Sequence, residues 1–188
     1  MKRFIFTVLA CAFLMLVVNL HRSGAQQTQK VQTAATGAIT FNLRGIDGRT
    51  YDLAQMRGEI VLVSFGATWC GPCAEELAAL EDLKREYEHR PIRFLWVSIE
   101  TKEEATNALL RSYAKSKKLT LPVLRDTTRA AYGQFSERVR LPLVVIFDSE
   151  GKLTQPALVG MAASPELYKQ RVRSKLNELI ATQTLSAN

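Results

Sequence analysis

Histidine and cysteine are scarce in this chain, with two of the first and three of the second in 188 residues. A structural zinc site needs four ligands, usually two pairs of Cys or His. Beyond residue 25 only Cys70, Cys73 and His89 remain. That is too few for zinc unless two chains share a site, and His89 sits in the charged loop "EYEHRP", as expected of an exposed turn residue. No region is repetitive. The basic run Lys115-Ser116-Lys117-Lys118 has no interleaved aromatics, so nucleic-acid binding is not expected and the run reads as the solvated end of a surface helix. What remains is a chain about one domain long, with 47% hydrophobic residues and enough length to bury a sizeable core.

The first 25 residues differ in kind. Lys2 and Arg3 precede an apolar run from Phe4 to Val18, and Ser23-Gly24-Ala25 supplies small residues before a cut. This order predicts a secretory signal cleaved after Ala25; the alternative is an uncleaved membrane anchor. Cys11 lies inside the apolar run and reads as a buried signal-segment cysteine rather than a lipoprotein box. Cleavage removes Lys2, Arg3 and Arg22 and no acid, so the net charge falls from +7 to +4. Residues 26–37, "QQTQKVQTAATG", are polar and aperiodic, and a flexible linker is expected there. The folded domain is expected over 38–182.

"AITFNLRGIDGRTYDL" alternates around Asp47-Gly48 and predicts a β-hairpin. "IVLVSF", "IRFLWVSI" (92–99) and "LPLVVIF" (141–147) predict buried strands, and the last turns through Asp148–Gly151 into a further strand, "KLTQPALVG". A helix is predicted from about Pro72, with Cys73, Leu77, Leu80, Lys84 and Tyr87 on one face. A second is predicted over 103–116, and a third is capped by Ser164 with Pro165 at its first position. The sum is an α/β domain with a mixed sheet covered on both faces.

Two thiols straddling Gly-Pro in "SFGATWCGPCAEEL" can serve as a structural disulfide or as a redox centre. A bridge between residues 70 and 73 closes a very small loop and restrains the unfolded chain little. The redox reading uses the whole neighbourhood. A strand ending at Phe65 delivers Cys70 to a helix N-terminus, where free N–H groups and the macrodipole favour a thiolate. Pro72 suits that first turn because its missing N–H has no partner there. Cys73, one turn further in, faces the core, so an exposed nucleophile and a buried resolving thiol are expected.

"WCGPC" on a strand–helix junction resembles the thioredoxin active site. The longer stretch "DGRTYDLAQMRGEIVLVSFGATWCGPC", with "LPVLRD", "AYG" and "LPLVVIFDSEGKL", resembles the TlpA/ResA branch of secreted thioredoxin-like proteins. The resemblance implies a thioredoxin fold with an N-terminal hairpin extension, a helical insertion within 100–125, and a cis bond at Leu141-Pro142. It implies catalysis by Cys70 and Cys73, with Trp69, Gly71, Pro72, Leu141 and Pro142 forming the substrate surface. No metal and no cofactor beyond the Cys70–Cys73 disulfide are implied. Where thioredoxins carry a buried acid six residues before the first cysteine, this chain has Ser64; this branch instead uses a glutamate near the insertion, and Glu100 is nearest to that place. Otherwise Glu100 caps helix 103–116. Leu143 stands where many relatives carry Thr, and Arg138 and Arg140 lie in a lengthened approach to Pro142, as a substrate edge or a solvated loop.

The function implied is a periplasmic thiol–disulfide oxidoreductase, a monomer that reduces disulfide-containing proteins. Its electrons would come from a membrane thiol donor of the DsbD/CcdA type, and cytochrome c maturation is the usual task of such relatives. A peroxidase-type redoxin would want Thr or Ser at position 67, which is Ala. A copper-delivery module would want three residues between the cysteines and a later histidine. A binding module with an idle disulfide is the third alternative.

Overall fold

A computed structural model describes residues 39–186; the expected signal segment and linker lie outside the described residues. Seven strands form one sheet: β1 (Asn42–Gly45), β2 (Thr50–Asp52), β3 (Ile60–Gly66), β4 (Ile92–Ser98), β5 (Val123–Arg125), β6 (Leu143–Phe147) and β7 (Leu153–Val159). The helices are α1 (Gly71–Glu86), α2 (Asn107–Ser116) and α3 (Pro165–Ser186), with short 3₁₀ turns at Leu53–Met56 and Tyr132–Gln134. The strand order is β2-β1-β5-β4-β3-β6-β7. β3, β4 and β5 run parallel, while β6 is antiparallel to β3 and β1 is antiparallel to β5. This is the mixed α/β sheet of a thioredoxin-like fold.

Every residue of β3 is buried. Its side chains alternate between two cores, as a strand covered on both faces requires. Ile60 and Leu62 join Trp96, Val144 and Ile146 beneath all three helices, including Leu77, Leu80 and Leu83 of α1 and Tyr168, Val172 and Leu176 of α3. Val61, Val63 and Phe65 join Leu95, Val97, Val145 and Phe147 on the other face. That second face is covered by the hairpin and the two 3₁₀ turns, through Phe41, Tyr51, Leu53, Met56 and Tyr132, rather than by helices. Each fully buried leucine of α1 contributes roughly 1.5–3 kcal/mol.

Three departures from the expected elements have local causes. The second helix begins at Asn107, not 103, because two caps compete. Thr101 and Glu104 bond each other's backbone N–H and close a separate turn, and Thr106 then caps the helix by accepting from Leu109 N–H. β5 is a strand that periodicity could not announce: three residues, held by pairing to β4 on one side and β1 on the other. The last helix runs to Ser186, past the expected boundary at 182. The hairpin, the cap on α3 (Leu167 N–H to Ser164 Oγ, 3.2 Å) and the cis Leu141-Pro142 bond occur where expected; Gln155-Pro156 is also cis, in edge strand β7.

The three parallel strands bring the ends of β3, β4 and β5 to one edge of the sheet. β6 begins at the same edge, with Leu143 opposite Phe65. At this edge Gly66 ends β3 in close quarters: a Cβ there would lie 2.6 Å from Trp96 Nε1 and 3.4 Å from Cys73 Cβ. Gly66→Ala is therefore expected to destabilise the domain by about 1–3 kcal/mol through overpacking. Urea unfolding measures this, with a lowered midpoint at unchanged slope as the expected result.

Candidate active site

β3 hands the chain to the site through Ala67, Thr68 and Trp69. Cys70 is the N-cap of α1 in an extended conformation, and Cys70 Sγ accepts from Cys73 N–H at 3.2 Å. Gly71 and Pro72 fill the first turn and are exposed. The two sulfurs are bonded across that turn at 2.01 Å, with Cα atoms 5.2 Å apart. Cys73 is completely buried, and Cys70 keeps 6% exposure. Both cysteines are thus buried, where an exposed Cys70 and a buried Cys73 were expected, because Ala67 and Leu141 pack against the pair. Trp69, by contrast, is 62% exposed beside the disulfide. Half-buried Leu141 and buried Pro142 approach from the start of β6, and the Pro142 carbonyl accepts from Gly160 N–H at 2.8 Å.

Glu100 does not cap the second helix. It is buried at the end of β4, and its carboxylate accepts from Thr68 N–H at 3.0 Å, Thr68 Oγ1 at 2.6 Å and Ser98 Oγ at 2.9 Å. It thereby ties down the loop that carries Trp69 and Cys70. Arg138 and Arg140 are exposed, and their backbone is pinned by Tyr132: its hydroxyl donates to the Arg138 carbonyl at 2.9 Å and accepts from Arg140 N–H at 2.7 Å. Leu143 is buried at the first position of β6. His89 is exposed and distant in the sheet from this edge, at the start of β4.

The residue that sequence reasoning missed is Glu76. Buried on α1 three residues after Cys73, it accepts from Ser64 Oγ at 2.5 Å and from the Tyr168 hydroxyl at 2.7 Å. Residues three apart on a helix are surface neighbours, so Glu76 lies next to Cys73 on the buried face. The carboxyl that Ser64 does not supply from β3 thus comes from α1, and Ser64 holds it. The signal was present: Glu76 falls in the apolar stripe of Cys73, Leu77 and Leu80. Burial pushes its carboxyl up to about 7, against the lowering effect of the Ser64 and Tyr168 hydrogen bonds. Burial and the neighbouring Glu76 in turn raise the Tyr168 hydroxyl well above the ordinary tyrosine range.

A disulfide closed over the first turn of a helix, at the strand-end edge of this sheet, with Leu141 of the cis Leu141-Pro142 pair packed against it, defines a thioredoxin-like redox enzyme. Residues 34–155 match the AhpC/TSA family, and the chain belongs to that family. The thioredoxin-like protein YneN of Bacillus subtilis is 30% identical over 154 residues, spanning 81% of this chain and 86% of that protein. The thiol–disulfide oxidoreductase ResA of the same organism is 23% identical over 160 residues, 85% of this chain and 84% of that one. Among solved structures, the exposed lipoprotein thioredoxin of Streptococcus pneumoniae is 28% identical with a TM-score of 0.61, and the match covers 74% of this chain and 99% of that one.

Glu76 makes stability depend on pH. Its carboxyl is raised from 4.5 to about 7, so between those values the folded chain keeps a proton that the unfolded chain releases. The stabilisation is fully present below pH 4.5 and is lost as pH rises through 7. Glu76→Gln cannot ionise, so relative to the parent it should gain on the order of 2–3 kcal/mol between pH 4.5 and 8. Thermal unfolding of both across that range tests this; parallel curves would show that Glu76 is not protonated in the fold.

Proposed function

We propose that the protein is an extracytoplasmic thiol–disulfide oxidoreductase that reduces disulfides in other proteins. The observation that carries this reading is the Cys70–Cys73 bond at the N-cap of α1, beside exposed Trp69. In the reduced enzyme the helix N-terminus favours the Cys70 thiolate. That thiolate attacks one sulfur of a substrate disulfide; the other substrate sulfur leaves as a thiolate and takes a proton. Cys73 then attacks Cys70 Sγ, releases the second substrate thiol and closes the Cys70–Cys73 disulfide, so two electrons have passed to the substrate. Trp69, Gly71, Pro72, Leu141 and cis-Pro142 form the rim that receives the substrate backbone.

Cys73 must lose a proton where there is no solvent. Glu76 takes that role, since its carboxyl is poised near 7 and neighbours Cys73 on α1. Glu100, expected in that role, positions the loop instead: all three of its hydrogen bonds go to Thr68 and Ser98. Glu100→Gln is expected to slow turnover without moving its pH profile, whereas Glu76→Gln should move the profile. Steady-state rates from pH 5.5 to about 9 separate the two roles.

The Gly-Pro between the cysteines resembles thioredoxin, whose couple lies near about −270 mV against about −120 mV for a strong periplasmic oxidant, and this favours the reducing direction. The N-terminal pattern (Lys2, Arg3 and the apolar run) supports export to the periplasm or the outer face of the cytoplasmic membrane. A reductase placed there draws electrons from a membrane thiol donor of the DsbD/CcdA type, and cytochrome c maturation is the pathway that relatives of this branch suggest. The enzyme acts as a monomer with no cofactor besides its disulfide. Ala67, fully buried against the cysteines, offers no hydroxyl to a peroxide and disfavours the peroxidase reading.

With dithiothreitol as electron source the protein should reduce insulin, and Cys70→Ser should abolish the activity. Cys73→Ser keeps the attacker and lacks the resolver, so it should accumulate a mixed disulfide that a non-reducing gel displays and excess dithiothreitol dissolves. Equal trapping by the two single variants would reverse the assignment of attacker and resolver.

A further inference from the structure

At the same sheet edge, two strands from the cysteines, lies a cleft of about 610 Å³ that the redox chemistry does not use. Three cations line it, Arg44, Lys102 and Arg125, with Thr106, Asn107 and Thr127 between them; no carboxylate does. Arg44 and Arg125 are direct partners across the β1–β5 ladder. Like charges in that register repel and are unfavourable without a counter-charge. Nor can Arg125 swing away. It donates to Asn107 Oδ1 at 2.8 Å, to the Thr101 carbonyl at 3.0 Å and to the Ala105 carbonyl, while its Nε is buried without a partner. The N-terminal end of α2 adds positive potential of the same sign.

The acids nearby offset the charge of the cleft only in part. Glu104 pairs with Arg129, and buried Asp126 accepts from Tyr132 N–H. Exposed Glu103 feels Lys102 and Arg125 but does not line the cleft. The cleft is also linked to the redox loop through hydrogen bonds. Glu100 holds Thr68 of the cysteine loop, the next residue's carbonyl holds Arg125, and Lys102 follows. Two strand spacings separate the ends of β3 and β5, about 10 Å. Arg138 and Arg140 stand exposed on the opposite side, at the approach to Pro142.

We propose that this cleft docks an acidic segment of the protein partner, whose disulfide then lies over Cys70. The proposal rests on the reading of the partner as a disulfide-bearing protein, and its test is chosen to separate the two. The oxidised protein is titrated into dye-labelled peptides in which one alanine, standing in for cysteine, is flanked by a run of glutamates, of serines or of lysines, and anisotropy is followed. The glutamate peptide should bind about tenfold more tightly than the others, and the preference should fade between about 0.05 and 0.5 M salt. Arg44→Glu combined with Lys102→Glu should invert the preference toward the lysine peptide, a gain that a misfolded chain cannot produce. Equal binding of the three peptides, or an acidic preference that survives the double substitution, overturns the proposal. Displacement of the glutamate peptide by about 1 mM inorganic phosphate, too dilute to screen charges, would assign the cleft to a small anion and overturn it as well. Binding needs no thiol chemistry, so an acidic preference without insulin reduction would sink the reductase reading and leave the docking site standing.

Discussion

Helix α1 can start at Cys70 because β3 is buried on both faces and stops hard against its neighbours at Gly66. The close approach of Trp96 Nε1 and Cys73 Cβ to that glycine leaves no room for a side chain. The strand end, the cysteine turn and β4 therefore pack as one unit, and the other parts of the site are placed relative to it. Leu141 and Pro142 arrive because β6 pairs with β3 in a register that sets Leu143 opposite Phe65. Glu100 arrives because β4 ends level with β3, at Ser98 opposite Gly66.

Two buried glutamates flank this unit and differ in what surrounds them. Glu100 meets one backbone N–H and two hydroxyls, a set that suits a carboxylate serving as a clamp. Glu76 meets two hydroxyls and is buried, and desolvation outweighs those bonds. Glu100 thus holds a loop, while burial lifts the Glu76 carboxyl to about 7. The Ser64–Glu76–Tyr168 chain also joins β3, α1 and α3, so the group suited to the chemistry is part of what fastens the helices to the sheet. Both hydrogen-bond partners of Glu76 are on other elements, as a buried polar group requires.

The surface around the disulfide has two characters. Trp69 and the cis-proline edge are apolar, and in the proposed function they receive the substrate backbone. The cationic cleft beyond Glu100 discriminates by charge, and it lies far enough from the sulfurs to select partners without altering the thiol chemistry.

Much of this was legible in the residues alone. The WCGPC turn, the continuous run of β3, the Asp47-Gly48 hairpin and the Ser164 cap are local signals whose physics acts within a few residues. The cysteine pair could therefore be named from its own neighbourhood, while Trp69 and Pro142 were named through the family resemblance. The start of α2 was misread because Thr101 and Thr106 are both good caps and only packing chooses between them. β5 went unread because three residues have no period. Glu76 went unnamed, and the partners of Glu100 went unread, for a related reason. A carboxyl's protonation depends on which groups from other strands and helices surround it, and Ser64, Tyr168 and Thr68 are between 12 and 92 residues distant along the chain. The pairing of Arg44 with Arg125 likewise exists only once β1 lies beside β5. Local sequence determined where the redox pair sits and which helix carries it; the long-range packing of the sheet decided which acid neighbours the buried thiol and where the positive charge gathers.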